Sequence, residues 1–105
     1  MSEWTTVEGD AALPEGGVLP VDLDGLPVIL VRHLGCVHAF ENRCTHDGSE
    51  LTGGHIEDGQ LVCPHHGARF QLPGGAATCA PAYEPLTPIA ARVEGGVIQL
   101  KDDRW

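Results

Sequence analysis

The chain has 105 residues with 14 glycines and 8 prolines but only two Trp, two Phe and one Tyr, a composition that bounds it to one small domain of short strands and tight turns and argues against long helices. No apolar run approaches the roughly 18 residues of a membrane span; the longest, Leu26 to Val31, is interrupted by Pro27. A formal charge of -9, from 15 acids against six bases, excludes nucleic acid as the natural partner and predicts a solvated acidic surface.

In chain order, Trp4 to Val7 reads as a first short strand, with Trp4 as core or edge packing, and Glu8 to Gly17 as a polar loop. Val18 to Leu23 and Pro27 to His33 flank Asp24-Gly25, a hairpin signal because glycine takes the positive φ of a primed turn. Leu34-Gly35 turns the chain back along Cys36 to Glu41. Glu50 to Gly54 reads as a brief helical turn, followed by His55 to Glu57, a turn at Asp58-Gly59 and a return strand from Gln60 to Cys63. Arg69 to Leu72 and Ala76 to Cys79 read as strands, and a last hairpin runs from Leu86 to Val93, through Gly95-Gly96, to Val97–Lys101, with Ile89, Ala91 and Val93 facing inward. Asp102 to Trp105 is expected to fray. The predicted class is all-β, with antiparallel sheets stacked or rolled into a small barrel.

Two stretches carry chemistry. Cys44-Thr45-His46 and Cys63-Pro64-His65-His66-Gly67 each offer one soft thiolate and one imidazole at short offset, a pair of claws on loops at strand ends. Thiolate and imidazole together also suit zinc, but common zinc modules pair Cys with Cys and His with His, whereas each claw here is mixed. A thiolate pair on one iron and an imidazole pair on the other is the ligand set of a Rieske [2Fe-2S] centre.

The spacing Cys-x-His, then Cys-x-x-His, with Asn42-Arg43 before the first claw, Gly53-Gly54, Asp58-Gly59 and Gly67-Ala68-Arg69-Phe70 around the second, resembles the small Rieske ferredoxins that feed electrons to bacterial oxygenases. The resemblance spans about Val18 to Leu100. It implies the Rieske (ISP-like) fold, a single domain over 1–105 whose basal β domain carries an inserted cluster-binding subdomain at about 43–81. It further implies one [2Fe-2S] cluster per chain, with Cys44 and Cys63 on the buried iron and His46 and His66 on the outer iron near solvent. His65 does not fit the spacing and is a neighbour. Pro81 is the candidate for a proline-bearing loop that covers the cluster. The cysteines that form an extra disulfide in the Rieske subunits of respiratory complexes are replaced by Ser49 and His65. Cys36 and Cys79 read as reduced small hydrophobes, and His33, His38 and His55 as structural or surface histidines.

The implied function is a one-electron carrier, itself not an enzyme, that takes electrons from a flavoprotein reductase and delivers them to a terminal non-heme iron oxygenase such as an aromatic-ring dioxygenase. The stretch after His66 is too short for an oxygenase's own mononuclear iron site of two histidines and a carboxylate. Alternatives are the Rieske-like small subunit of a nitrite reductase and an electron donor to another system such as iron-sulfur assembly. No leader-like segment opens the chain, so a cytoplasmic protein with no membrane partner is expected, and a small carrier that exchanges partners is expected to work as a monomer. Between Cys44 and Ala68 lie Asp47, Glu50, Glu57 and Asp58 but no Lys or Arg, a charge pattern suited to docking on basic patches. High-potential Rieske proteins place a serine and a tyrosine where this chain has Ala68 and Phe70. Without those hydroxyls the predicted potential is low, about -150 to -100 mV.

Overall fold

The computed structural model describes residues 4–45, 48–65, 67–72, 74–79 and 85–102. Among the described residues ten strands form two antiparallel sheets: β1 (Thr5–Gly9), β2 (Val18–Leu23), β3 (Leu26–His33), β4 (Cys36–Glu41), β5 (His55–Glu57), β6 (Gln60–Val62), β7 (Arg69–Gln71), β8 (Ala76–Cys79), β9 (Pro88–Glu94) and β10 (Val97–Lys101). The larger sheet has the order β1-β10-β9-β4-β3-β2, and β1 lies against β2, so the six strands curl toward a barrel. The smaller is the meander β5-β6-β7-β8. Among the described residues no helix is long and apolar enough to cross a membrane.

Four hairpins turn through paired residues of positive φ: Asp24-Gly25, Leu34-Gly35, Asp58-Gly59 and Gly95-Gly96. This is the primed geometry whose twist matches that of the flanking strands. Leu34 is the unexpected member, a bulky residue at φ 52° and 80% exposed. Its turn is held from outside by Glu15, whose two carboxylate oxygens accept the Leu34 and Gly35 N–H groups at 2.7 and 2.8 Å. The Gly35 bond is the largest of several influences that hold the Glu15 carboxyl below its ordinary pKa.

β3 joins the two halves. Val28, Ile29, Leu30 and Val31 are all fully buried, although successive side chains of a strand point to opposite faces. Val28 and Leu30 enter the barrel core with Ala39, Ile89, Ile98 and Leu100. Ile29 and Val31 project from the other face and pack, with Phe40, into the core shared with Cys44, Leu51, Leu61, Cys63 and Phe70. The smaller sheet and its loops therefore cap the outside of the barrel at β3 and β4.

The predicted elements recur with small shifts. β1 extends to Gly9 and is followed by a 3-10 turn at Asp10–Ala12, which lies in the expected loop. The expected helical turn at Glu50 to Gly54 is instead a tight turn closed by Gly54 N–H to the Leu51 carbonyl at 2.9 Å, because Leu51 is drawn fully into the core. Val93, expected to face inward, is 42% exposed: β9 pairs β4 only through Ala39↔Ile89 and Phe40↔Pro88, so its far end projects past the packed region. Trp4 lies beneath cations of the last hairpin, with the Arg92 guanidinium 4.3 Å and the Lys101 ammonium 5.8 Å from its ring centre.

Gly75 fixes how the chain leaves the smaller sheet. It has φ +84°, and a Cβ there would lie 2.9 Å from a Phe40 ring carbon and 3.2 Å from Leu86 Cβ. Strain and overpacking add, so Gly75→Ala is expected to cost about 2 to 4 kcal/mol, read as a lowered Tm in thermal unfolding.

Candidate metal centre

The two cysteines sit in turns that repeat one another bond for bond. In the first, Cys44 N–H donates to the Ser49 carbonyl at 2.7 Å and the Cys44 carbonyl accepts from Gly48 N–H at 2.8 Å. In the second, Cys63 N–H donates to the Ala68 carbonyl at 2.8 Å and the Cys63 carbonyl accepts from Gly67 N–H at 3.2 Å. Each turn is completed by its glycine at positive φ, 79° for Gly48 and 73° for Gly67, a conformation a side chain would resist. The thiol-bearing residues are 0% and 1% exposed, belong to one buried cluster and are in no disulfide. Two buried soft donors on matched turns suit an iron-sulfur group, since thiolates hold such clusters.

The surroundings are apolar on the inner side. Ala68 and Phe70 are both fully buried in that same cluster. Glu50, Glu57 and Asp58 are exposed, as are Arg43 and His65. Arg69 on β7 donates to Glu57 on β5 at 2.7 Å and to Gln60 on β6 at 3.2 Å, strapping three strands together. The Glu57 carboxyl is held below its ordinary pKa, first by its bond from Arg69 and then by His55, whose Nε2 lies 3.3 Å from it.

Two backbone approaches tie the turns to each other and to the barrel. Asn42, the sole polar residue buried among the described residues, sits where β4 enters the first turn. Its backbone N–H donates to the Pro27 carbonyl at 2.9 Å, its side-chain Oδ1 accepts Leu51 N–H at 2.7 Å, and its Nδ2 donates to Thr52 Oγ1 at 2.9 Å. Gly54 brings the far end of the same loop against β6: a Cβ there would lie 2.5 Å from the Val62 carbonyl oxygen and 3.0 Å from that of Leu51. In the sequence Asn42 and Gly54 stand out only as members of motifs, with no task attached, because a buried side-chain amide and a backbone crossing leave no periodic signal.

Of the other predicted residues, His46, His66 and Pro81 lie outside the described residues, as does the Cys79 side chain. Cys36 is a free thiol exposed at a hairpin end, where its position in β4 lies beyond the reach of β9. His33 and His38 are half-buried on β3 and β4. His38 lines a cavity of about 160 Å³ with Val37 and Ala91, apart from both cysteine turns, and burial, followed by the charge of His33, keeps its pKa below the ordinary histidine value.

A family model described as Rieske [2Fe-2S] domain matches residues 3–92. The 3-phenylpropionate/cinnamic acid dioxygenase ferredoxin subunit of Escherichia coli O139:H28 is 41% identical over 90 residues, covering 84% of this chain and 83% of that protein. The ferredoxin of carbazole 1,9a-dioxygenase from Nocardioides aromaticivorans IC177 superposes with a TM-score of 0.88 at 28% identity, covering 95% of this chain and 98% of the other. A chain in a complex of reduced oxygenase and oxidized ferredoxin in carbazole 1,9a-dioxygenase superposes with a TM-score of 0.84 at 26% identity, covering 92% and 91%.

Proposed function

The chain belongs to the Rieske [2Fe-2S] domain family, and from that premise we propose that it is a one-electron carrier to the terminal oxygenase of a multicomponent system, with a flavoprotein reductase as its donor. The chain carries a [2Fe-2S] cluster, which supplies a one-electron couple. The observation that carries the ligand assignment is the pair of matched turns: two buried cysteines on the same hydrogen-bond pattern, each followed in sequence by the histidine of its claw. On this reading Cys44 and Cys63 hold the inner iron, His46 and His66 the outer one, and the cluster-binding subdomain spans about 43–81, with the barrel strands before and after it as its base.

The chain's own groups then have distinct tasks. The thiols sit in the apolar core, where water is excluded, and the histidines are assigned to the solvent side. The formal charge of -9, with exposed Glu50 in the loop of the first claw, gives a negative field that steers the carrier onto basic patches of its partners. The relatives named as ferredoxins of dioxygenase systems, and the oxygenase–ferredoxin complex whose chain this one resembles, support an oxygenase as acceptor. The same reading makes the protein a cytoplasmic carrier with no catalytic turnover of its own.

Redox titration followed by EPR tests the assignment. The dithionite-reduced protein is expected to give a rhombic signal, with a potential at about -150 to -100 mV, because the buried Ala68 and Phe70 offer no hydroxyl to stabilise added negative charge. A colourless protein holding one zinc per chain would overturn it.

A further inference from the structure

The second cysteine turn is closed below by a strand ladder: Leu61, two residues before Cys63, pairs with Phe70, seven residues after it, in the β6–β7 register. The corresponding positions around Cys44 are Asn42 and Leu51. Among the described residues no ladder joins them, since β4 ends at Glu41 and the next strand begins at His55. The bond found there instead runs from Leu51 N–H to the Asn42 side-chain oxygen, at 2.7 Å.

We propose that Asn42 is a positioning residue for the first claw, its carboxamide standing in for the missing strand partner so that two loops of different origin present their cysteines on the same turn. The substitution is made at a junction. The Asn42 backbone N–H is bonded to Pro27 at the start of β3, so the carboxamide is referenced to the barrel, and its Nδ2 is satisfied by Thr52, whose hydroxyl in turn donates to Glu50 at 2.9 Å. Asn suits this place because a carbonyl oxygen copies the acceptor a strand would offer, while the buried amide still finds a partner for its N–H. An aliphatic residue would leave Leu51 N–H buried without an acceptor. Asn42 acts through the loop from Cys44 to Leu51.

The inference rests on the cluster reading above, and its test separates the two. In the purified, cluster-loaded protein, Asn42→Ala is expected to broaden the rhombic EPR signal of the reduced state and to speed cluster loss to a chelator, read as bleaching, by about tenfold or more. Thr52→Val, which removes the Nδ2 partner and the hydroxyl given to Glu50 but leaves the bond from Leu51 N–H to Asn42 Oδ1, is expected to change either reading less than about twofold. Ile98→Val, in the barrel core that contains no cysteine, serves as a control for general destabilisation and is expected to lower Tm while leaving the EPR line shape unchanged. An Asn42→Ala protein with the wild-type line shape and bleaching rate would overturn the proposal, as would Ile98→Val reproducing both changes. A wild-type protein lacking the rhombic signal would instead overturn the cluster reading.

Discussion

Cys63→Ser is expected to purify without visible absorption, with iron and acid-labile sulfide each reduced at least about tenfold and electron transfer to any acceptor lost with them. A serine hydroxyl is of similar size, but at neutral pH it is a neutral, hard donor where the iron requires a soft thiolate. The site has no means of compensating: Cys63 is 1% exposed in an apolar cluster, so water cannot supply the missing ligand. Cys36→Ser is the matched control, because that thiol is exposed on a hairpin and belongs to neither claw; it is expected to retain the full iron content. The barrel should survive the loss, since the core formed by Val28, Leu30, Ile89, Ile98 and Leu100 contains no cysteine. Circular dichroism would then report retained strands, with lower thermal stability because a cluster that binds only the folded chain contributes to its stability. Wild-type iron content in Cys63→Ser would remove this residue from the ligand set.

Gly54→Ala is the second substitution with a large expected effect, and its comparison with Gly53→Ala makes it informative. From backbone conformation alone the order would be the reverse. Gly53 has φ +91° and open space within 4 Å of where a Cβ would sit, whereas Gly54 needs no positive φ, yet a Cβ there would meet the Val62 and Leu51 carbonyl oxygens at 2.5 and 3.0 Å. Gly53→Ala is thus expected to cost about 1 to 2 kcal/mol of backbone strain, with the cluster intact. Gly54→Ala must push apart two pieces of backbone, one leading directly into Cys63 and the other closing the loop of Cys44. It is expected to cost about 3 kcal/mol or more and to lower the iron content severalfold, because the displacement falls between the two claws. Iron analysis and thermal unfolding on both variants check the order; equal cluster content in the two would show that the spacing of the claws is not set at Gly54.

Much of the fold is legible in the sequence because its turns are chemically marked. Asp24-Gly25, Asp58-Gly59 and Gly95-Gly96 announce hairpins, and β4, β5, β8 and β10 begin and end at the expected residues. The role of β3 is not legible. A run such as Val28-Ile29-Leu30-Val31 has no alternation from which to assign faces, and only the second layer packed on the barrel explains why all four are buried. The turn at Leu51 to Gly54 reads as helical because local composition cannot register the pull of a distant core on Leu51. At the site, the cysteines and their offset to histidine stand out as ligand chemistry, whereas the bracing by Asn42 and the crossing at Gly54 exist only once loops from separate strands meet.

In each claw the cysteine's N–H and C=O are both engaged within its own turn, so neither peptide dipole is free to swing when the charge beside it changes by one unit. Preorganised dipoles of this kind keep the reorganisation energy of electron exchange small. On the proposed ligation, the two cysteine peptides therefore add little to the reorganisation that accompanies each one-electron exchange.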